Sequence, residues 1–295
     1  MNVENQNIKV KPFFARHQTF HPRFGWIKKG FELAKKDEGV FLREDAPVKL
    51  GVGKNMVRSI RYWCRAFKIL NKDQPTDFGR QLLDDEGWDP YLEDPASLWL
   101  LHWNLLKPTC EAAAWYTVFN LFRAVEFTSD DLLKALRDYR AHLASQPVDS
   151  SLKKDLTCIL RMYVEQDVKI GTLEDYIDSP FVQLGIIQTA GDGKHYNFRV
   201  GSKNNLPPEI VVAACLEFTV ARGQQKTISI SSLSYDRGSP GLVFKLSESA
   251  ICNAIEEVTA TNNGVFLSDS AGLIQFSFTE NPLDLAGKIL ATYYC

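Results

Sequence analysis

Residues 49–72, KLGVGKNMVRSIRYWCRAFKILNK, hold seven Lys or Arg and no acidic residue. A helix starting at Lys54 sets Lys54, Arg58, Arg61, Arg65 and Lys68 on one stripe, because i, i+4, i+7, i+11 and i+14 share a face. Val57, Ile60, Cys64 and Phe67, with Met56 and Trp63 beside them, form the adjoining apolar face, which has to dock on a core. The segment satisfies both faces as a helix laid on the surface of a small domain. Gly51 and Gly53 permit a tight turn before it, and Asn55 in the first turn can reach past the helix end. A short helix upstream completes a helix-turn-helix, whose second helix enters the DNA major groove. Solvated helices normally mix the signs of their charges, whereas five like charges on one face repel one another. The stripe therefore points to an anionic partner, duplex DNA, with a solvated face or an acidic protein partner as the competing readings.

The net charge of −2 hides a segregation along the chain. Residues 1–72 hold 16 Lys/Arg against 6 Asp/Glu, and residues 73–295 hold 18 against 30. A basic module for an anion is thus joined to an acidic remainder suited to protein contact. With 295 residues, 45% hydrophobic, the chain is long enough for two or three domains with cores of their own. The six cysteines show neither a CxxC pair nor Cys/His zinc spacing, so they read as buried hydrophobes in a reducing compartment. The opening MNVENQNIKVKP lacks an apolar signal region, and no run approaches the roughly eighteen apolar residues of a membrane span. The expectation is a cytoplasmic, soluble protein.

The expected fold class is mainly α with small β wings (α+β), in three parts: a basic winged-helix-like module over 1–83, a helical domain over 84–175, and a C-terminal winged-helix-like module over 176–295. In the first, an apolar rhythm of Phe24, Ile27, Phe31 and Leu33 predicts a helix ending near Gly39, Val40 and Phe41 a short strand, and Thr76 the cap of a further helix. In the second, Asp94-Pro95 starts a mostly buried helix, and Thr128 to Asp131 caps another. In the third, residues 175–188 read as a helix-to-turn element and KHYNFRV as a strand. Pro207-Pro208 opens a helix, and a helix from about Leu246 buries Ile251, Ala254, Ile255 and Val258. GVFLS and LIQFSF flank Asp269-Ser270-Ala271-Gly272 as a wing, and Asn281 caps the last helix. That third module carries Glu248, Glu256 and Glu257 on its helix, so a phosphate backbone repels it and it reads as a protein-contact or dimerisation unit, with DNA contact through its wing as the alternative.

The candidate DNA-contacting residues are Lys54, Asn55, Arg58, Arg61, Arg65 and Lys68, with Arg23, Lys29 and His17 upstream. Arginines suit phosphates or guanine edges, lysines phosphates, and asparagine adenine. His17 and His21 stand four apart, but Pro22 and the lack of a carboxylate partner make them packing, capping or phosphate-contacting residues rather than metal ligands. His102 reads as a satisfied core histidine. The acids Asp84, Asp85, Glu86, Asp89, Glu93 and Asp94 read as caps and solvated turns, so neither a cofactor nor a metal is expected.

RHQTFHPRFGWIKKG resembles the N-terminal signature of the bacterial family called domain of unknown function 4007. LGVGKNMVRSIRYWCRAF and GWDPYLEDPASLWLLHW resemble its second and third signatures. Arg16 stands where that family has Gly, and Gln18 where it has Glu. The resemblance implies an accessory role in phage defence or DNA phosphorothioate modification, beside a sulfurtransferase-like enzyme related to phosphoadenosine phosphosulfate reductases. Three functions follow for comparison. The first is a non-catalytic adaptor that brings such an enzyme to duplex DNA. The second is a dimeric transcriptional regulator of the same gene cluster. The third is an enzyme, a metal-dependent nuclease or sulfur transferase, which the absence of GxxxxGK[ST], HExxH and GxSxG leaves last.

Overall fold

The computed structural model describes residues 9–165, 179–223, 226–270 and 272–295. Its amphipathic stretches become helices wherever a local cap and one apolar face coincide. The basic part runs α1 (Trp26–Lys36), a 3-10 turn over Val40–Leu42, α2 (Ala46–Leu50), α3 (Lys54–Ala66), the hairpin β1 (Leu70–Asn71) and β2 (Gln74–Pro75), then α4 (Asp77–Leu83). The strand expected at Val40 and Phe41 is that 3-10 turn instead. Both side chains are buried, whereas alternation along a strand would send one outward. α2 and α3 are joined through Gly51, in the left-handed region at φ 61°. Phe24, expected inward, is exposed ahead of α1.

Helix α3 buries Val57, Ile60, Trp63 and Cys64 against α1. Gly30 makes the approach possible, because a Cβ there would stand 2.6 Å from Cys64 Sγ and 2.7 Å from Ile60 Cγ2. Thr76 caps α4 as expected, its hydroxyl accepting from the Gly79 N–H at 2.9 Å.

The central part begins with α5 (Pro95–Leu106), capped by Asp94 and buried on nearly every side. α6 (Ala113–Tyr116) continues as a π-helical turn over Thr117–Leu121, and β3 (Glu126–Thr128), α7 (Ser129–Ala141) and α8 (Asp149–Tyr163) follow. Thr128 and Asp131 form a reciprocal capping box on α7. Beyond a 3-10 turn at Pro180–Leu184 come β4 (Ile187–Thr189) and β5 (His195–Phe198), and the sheet order is β3-β5-β4. The part expected to be a helical spacer thus contributes a strand, whose ladder pairs Glu126 with Asn197 across the boundary expected at 175/176. Three-residue strands carry too little alternation to be read from sequence.

The last part runs α9 (Pro208–Ala221), β6 (Thr227–Ser229), α10 (Ile230–Tyr235), α11 (Pro240–Phe244), α12 (Glu248–Thr259), β7 (Val265–Ser270), β8 (Leu273–Phe278) and α13 (Pro282–Tyr294), with sheet order β6-β8-β7. Ile251, Ala254, Ile255 and Val258 are buried as expected, and Asn281 caps α13. The central and last parts therefore share one plan among the described residues: a strand, helices, then a hairpin whose second strand pairs with the first. The chain is mainly helical with small antiparallel sheets, as its periodicities imply. Residues 175–178 of the expected helix-to-turn element, Ala271 of the expected wing and positions 1–8 of the lead-in lie outside the described residues.

His102 ties α5 to two other helices: Nδ1 meets the Tyr163 hydroxyl at 2.8 Å and Nε2 the Val243 carbonyl at 2.9 Å. Burial lowers its pKa to about 3, so it is a neutral core residue. Cys64, Cys110, Cys158 and Cys215 are free and buried. Among the described residues no helix is long and apolar enough to cross a membrane.

Candidate functional site

The stripe on α3 divides into two halves with different surroundings. Lys54, Asn55 and Arg58, on its first turns, are exposed, and among the described residues Arg58 Nη1 makes only a long 3.5 Å bond to Asn55 Oδ1. Further along, Arg61 donates through Nε and Nη2 to both oxygens of Asp73, at 2.8 and 2.7 Å. Asp73 reaches it because the hairpin turn places Lys72 and Asp73 at φ 48° and 68°. Arg65 stands 3.6 Å from Glu111, which also takes the Lys11 ammonium. Their side chains keep 30% and 36% exposure, enough to offer an unpaired edge to a ligand.

Lys68 departs from the expected stripe. α3 ends at Ala66, and Lys68, at φ 61°, turns back so that its ammonium donates to the carbonyls of Asn104 and Lys107 at the end of α5. Burial lowers its pKa to about 8. It therefore caps a helix and does not meet an external anion. Arg23 is half-buried, its guanidinium over the Phe20 and Trp26 rings. Lys29 remains exposed on α1, beside Gly51 of the turn.

His17 is corrected most sharply. Expected as a packing, capping or phosphate-contacting residue and counted among the DNA contacts, it is a packing residue, wholly buried, with Nε2 2.7 Å from Asp155 Oδ1 on α8 and its ring stacked on Trp63. No external group reaches it. The same carboxylate accepts the Ala15 N–H at 2.9 and 3.2 Å, and burial raises the Asp155 pKa against the opposing pull of His17. Three bends hold residues 15–19 in the left-handed region: Ala15 at φ 52°, Gln18 at 52° and Thr19 at 73°. Such conformations are costly for non-glycine residues and persist only where surrounding bonds over-determine them. Here Asp155 holds one end, while the Trp63 Nε1–H donates to the Phe20 carbonyl at the other, at 3.0 Å.

This clamped loop lies opposite α3. Phe13, Arg16 and Gln18 from the loop side and Arg58, Arg61, Tyr62 and Arg65 from the helix enclose, with Glu111, a cavity of about 370 Å³. Arg58, Arg61 and Arg65 are the candidate residues of α3 that line it, whereas Gln18, Tyr62, Phe13 and Glu111 were not singled out as contacts. No residue type signals the loop, because its left-handed positions are Ala, Gln and Thr rather than Gly. A larger cavity of about 490 Å³ lies between the ends of α5 and α9, near Trp103 and Phe218. Its Lys107 and Arg222 are paired with Glu217 and Asp236, whereas the smaller cavity also holds Arg16 and Arg58, which form no ion pair among the described residues, so the smaller, cationic cavity is the better anion site. Of the acids expected as caps and solvated turns, Asp89 accepts the N–H groups of Glu93 and Asp94, both at 3.0 Å, and Asp94 caps α5, whereas Asp84 pairs with Lys35 and Asp85 with Lys28.

The family model described as "Protein of unknown function (DUF4007)" matches residues 14–294. A solved structure titled "Magnesium ion-bound SspB crystal structure" is 38% identical over 97% of this chain and 89% of that one, with a TM-score of 0.90. A second, titled "SspB crystal structure", is 37% identical over the same shares, with a TM-score of 0.89. No curated protein matches the chain.

Proposed function

Since the chain belongs to the DUF4007 family, we propose that it is a DNA-binding accessory protein of a bacterial DNA-modification or anti-phage defence system, linked to phosphorothioation. In this reading it brings a sulfurtransferase-like enzyme to duplex DNA. The observation that carries the DNA contact is the exposed first half of α3. Lys54, Asn55 and Arg58 project from the second helix of a helix-turn-helix corner, the end from which such helices meet base edges. Lys29, beside the turn, adds a phosphate contact, and Arg16 extends the positive surface. Fluorescence anisotropy of a labelled duplex across a salt series tests this. Affinity should fall with salt, and Lys54→Ala with Arg58→Ala should weaken binding by about tenfold or more, two lost phosphate contacts each releasing fewer counterions. Binding indifferent to salt and to both substitutions would remove the reading. Co-purification from the native host tests the enzyme partner.

The magnesium in one similar structure's title favours a second reading, a metal-dependent nuclease. Among the described residues no three His, Cys, Asp or Glu side chains gather as a metal site. The described residues thus offer no ready protein cage for a metal ion. Magnesium often rests on one or two carboxylates plus water and substrate phosphate, so supercoiled plasmid with and without Mg²⁺ is the direct assay. Nicked circles formed with Mg²⁺ and abolished by chelation would put this reading first.

A further inference from the structure

Resting on the reading of α3 as a DNA-facing helix, we propose that the cavity behind its second half holds one nucleotide by its phosphate, taken from a strand end or swung out of the duplex. A duplex backbone lies along a convex ridge, as the exposed Lys54, Asn55 and Arg58 offer. Arg61 and Arg65 are instead recessed, and the loop across from them supplies Arg16 and Gln18. A group that meets both walls has to enter between them.

The charge balance calls for an anion. Arg16, Arg58, Arg61, Arg65 and Lys11 face two carboxylates, Glu111 and Asp73. Among the described residues Arg16 and Arg58 form no ion pair; Arg16 lies over the Phe13 ring at 5.1 Å. Guanidinium groups on two sides suit the tetrahedral oxygens of a phosphate, which they grip through paired N–H donors. Asp73 fixes the Arg61 plane in advance, so little side-chain freedom is lost on binding.

The walls also fit more than phosphate. At about 370 Å³ the cavity is of ligand-pocket size, and Phe13 and Tyr62 give it aromatic surface, with the Gln18 amide able to donate and accept at a base edge. The loop is also built rather than incidental. Its three left-handed residues are held by Asp155 through Ala15 and His17 and by Trp63 through Phe20. Strain maintained at this expense of buried bonds is characteristic of ligand clamps.

Calorimetric titration of the full chain with the four deoxynucleoside 5′-monophosphates, and separately with inorganic phosphate, tests the site. At least one nucleotide should bind about tenfold more tightly than phosphate, and Arg16→Ala or Arg65→Gln should each weaken it by about tenfold. Lys54→Ala should leave it unchanged while weakening duplex binding, so the two readings can fail separately. Arg16 is exposed and forms no ion pair among the described residues, so its variant should keep the parent melting temperature. Nucleotides that bind no better than phosphate, or equally well to both variants, overturn the proposal whatever the duplex result. Two duplexes separate the sources. A fluorescence rise from an internal 2-aminopurine on binding identifies an extruded base, and displacement of the nucleotide by a 5′-phosphorylated end but not a 5′-hydroxyl end identifies a terminus. Absence of both responses overturns the DNA origin of the ligand.

Discussion

His17 Nε2 and Asp155 Oδ1 stand 2.7 Å apart in the interior, 138 residues apart in sequence, and they fasten the loop beside α3 to the helix α8 of the central part. One carboxylate thereby shapes a loop that presents Arg16 and Gln18. Asp155→Ala leaves a buried imidazole and the Ala15 N–H without their acceptor. Breaking a buried pair of this kind costs about 3 kcal/mol, which urea unfolding should register. The same variant should lose nucleotide binding under conditions where it remains folded, because Ala15 and Gln18 no longer hold their left-handed geometry.

Arg58 and Arg61, three residues apart, should behave differently. Arg58→Ala removes an exposed cation and should leave the melting temperature within about 1 °C of the parent, surface changes costing under about 0.5 kcal/mol. Arg61→Ala strands the buried Asp73 carboxylate, with a loss of roughly 2 kcal/mol, below the range for fully enclosed pairs because Arg61 keeps 30% exposure. Equal stability of the two variants in thermal melts would show that Asp73 does not depend on Arg61.

At the crossing of α1 and α3, Gly30→Ala would drive its methyl into Cys64 Sγ and Ile60 Cγ2. Both lie in a closed core, so the helices have to separate, and overpacking of this kind costs about 1–3 kcal/mol. Denaturant midpoints would register the loss. Duplex affinity should fall as well, since α1 sets the height of α3 and of Lys29 beside the turn.

Lys245 contributes a pH dependence of its own. It lies at φ 55° with its ammonium donating to the Phe119 carbonyl at 2.8 Å and 4.2 Å from the Phe198 ring centroid. Burial, then Arg123 and Lys203, lower its pKa from the usual 10.5 to about 7. The unfolded chain therefore binds more protons than the folded one between about pH 7 and 10, so this group's contribution to stability rises with pH across that window. Below pH 7 both states are protonated and the contribution is flat at its lowest. The difference in unfolding free energy between the parent and Lys245→Met should accordingly grow in the parent's favour from pH 7 to 9. A flat difference would mean that the Phe119 carbonyl holds the proton on.

The caps were legible because each is closed by neighbours in sequence: Thr76 by Gly79, Asp94 by Ala96, Thr128 by Asp131, Asn281 by Leu283 and Asp284. So were the two faces of α3, where apolar spacing alone separates Val57, Ile60 and Cys64 from Arg58, Arg61 and Arg65. The short strand β3 was not, since its three residues acquire their identity from a ladder to residues about seventy positions away.

Residue order by itself determined that a cationic helix would follow a glycine turn and that the chain would be chiefly helical, because helical periodicity and capping act over three or four residues. Only the tertiary structure decided which cations face outward. Asp73 claims one side of Arg61, the end of α5 takes Lys68, and Asp155 draws His17 inside. Those partners are chosen by proximity in space, and a carboxylate more than a hundred residues distant leaves no periodic mark on the sequence.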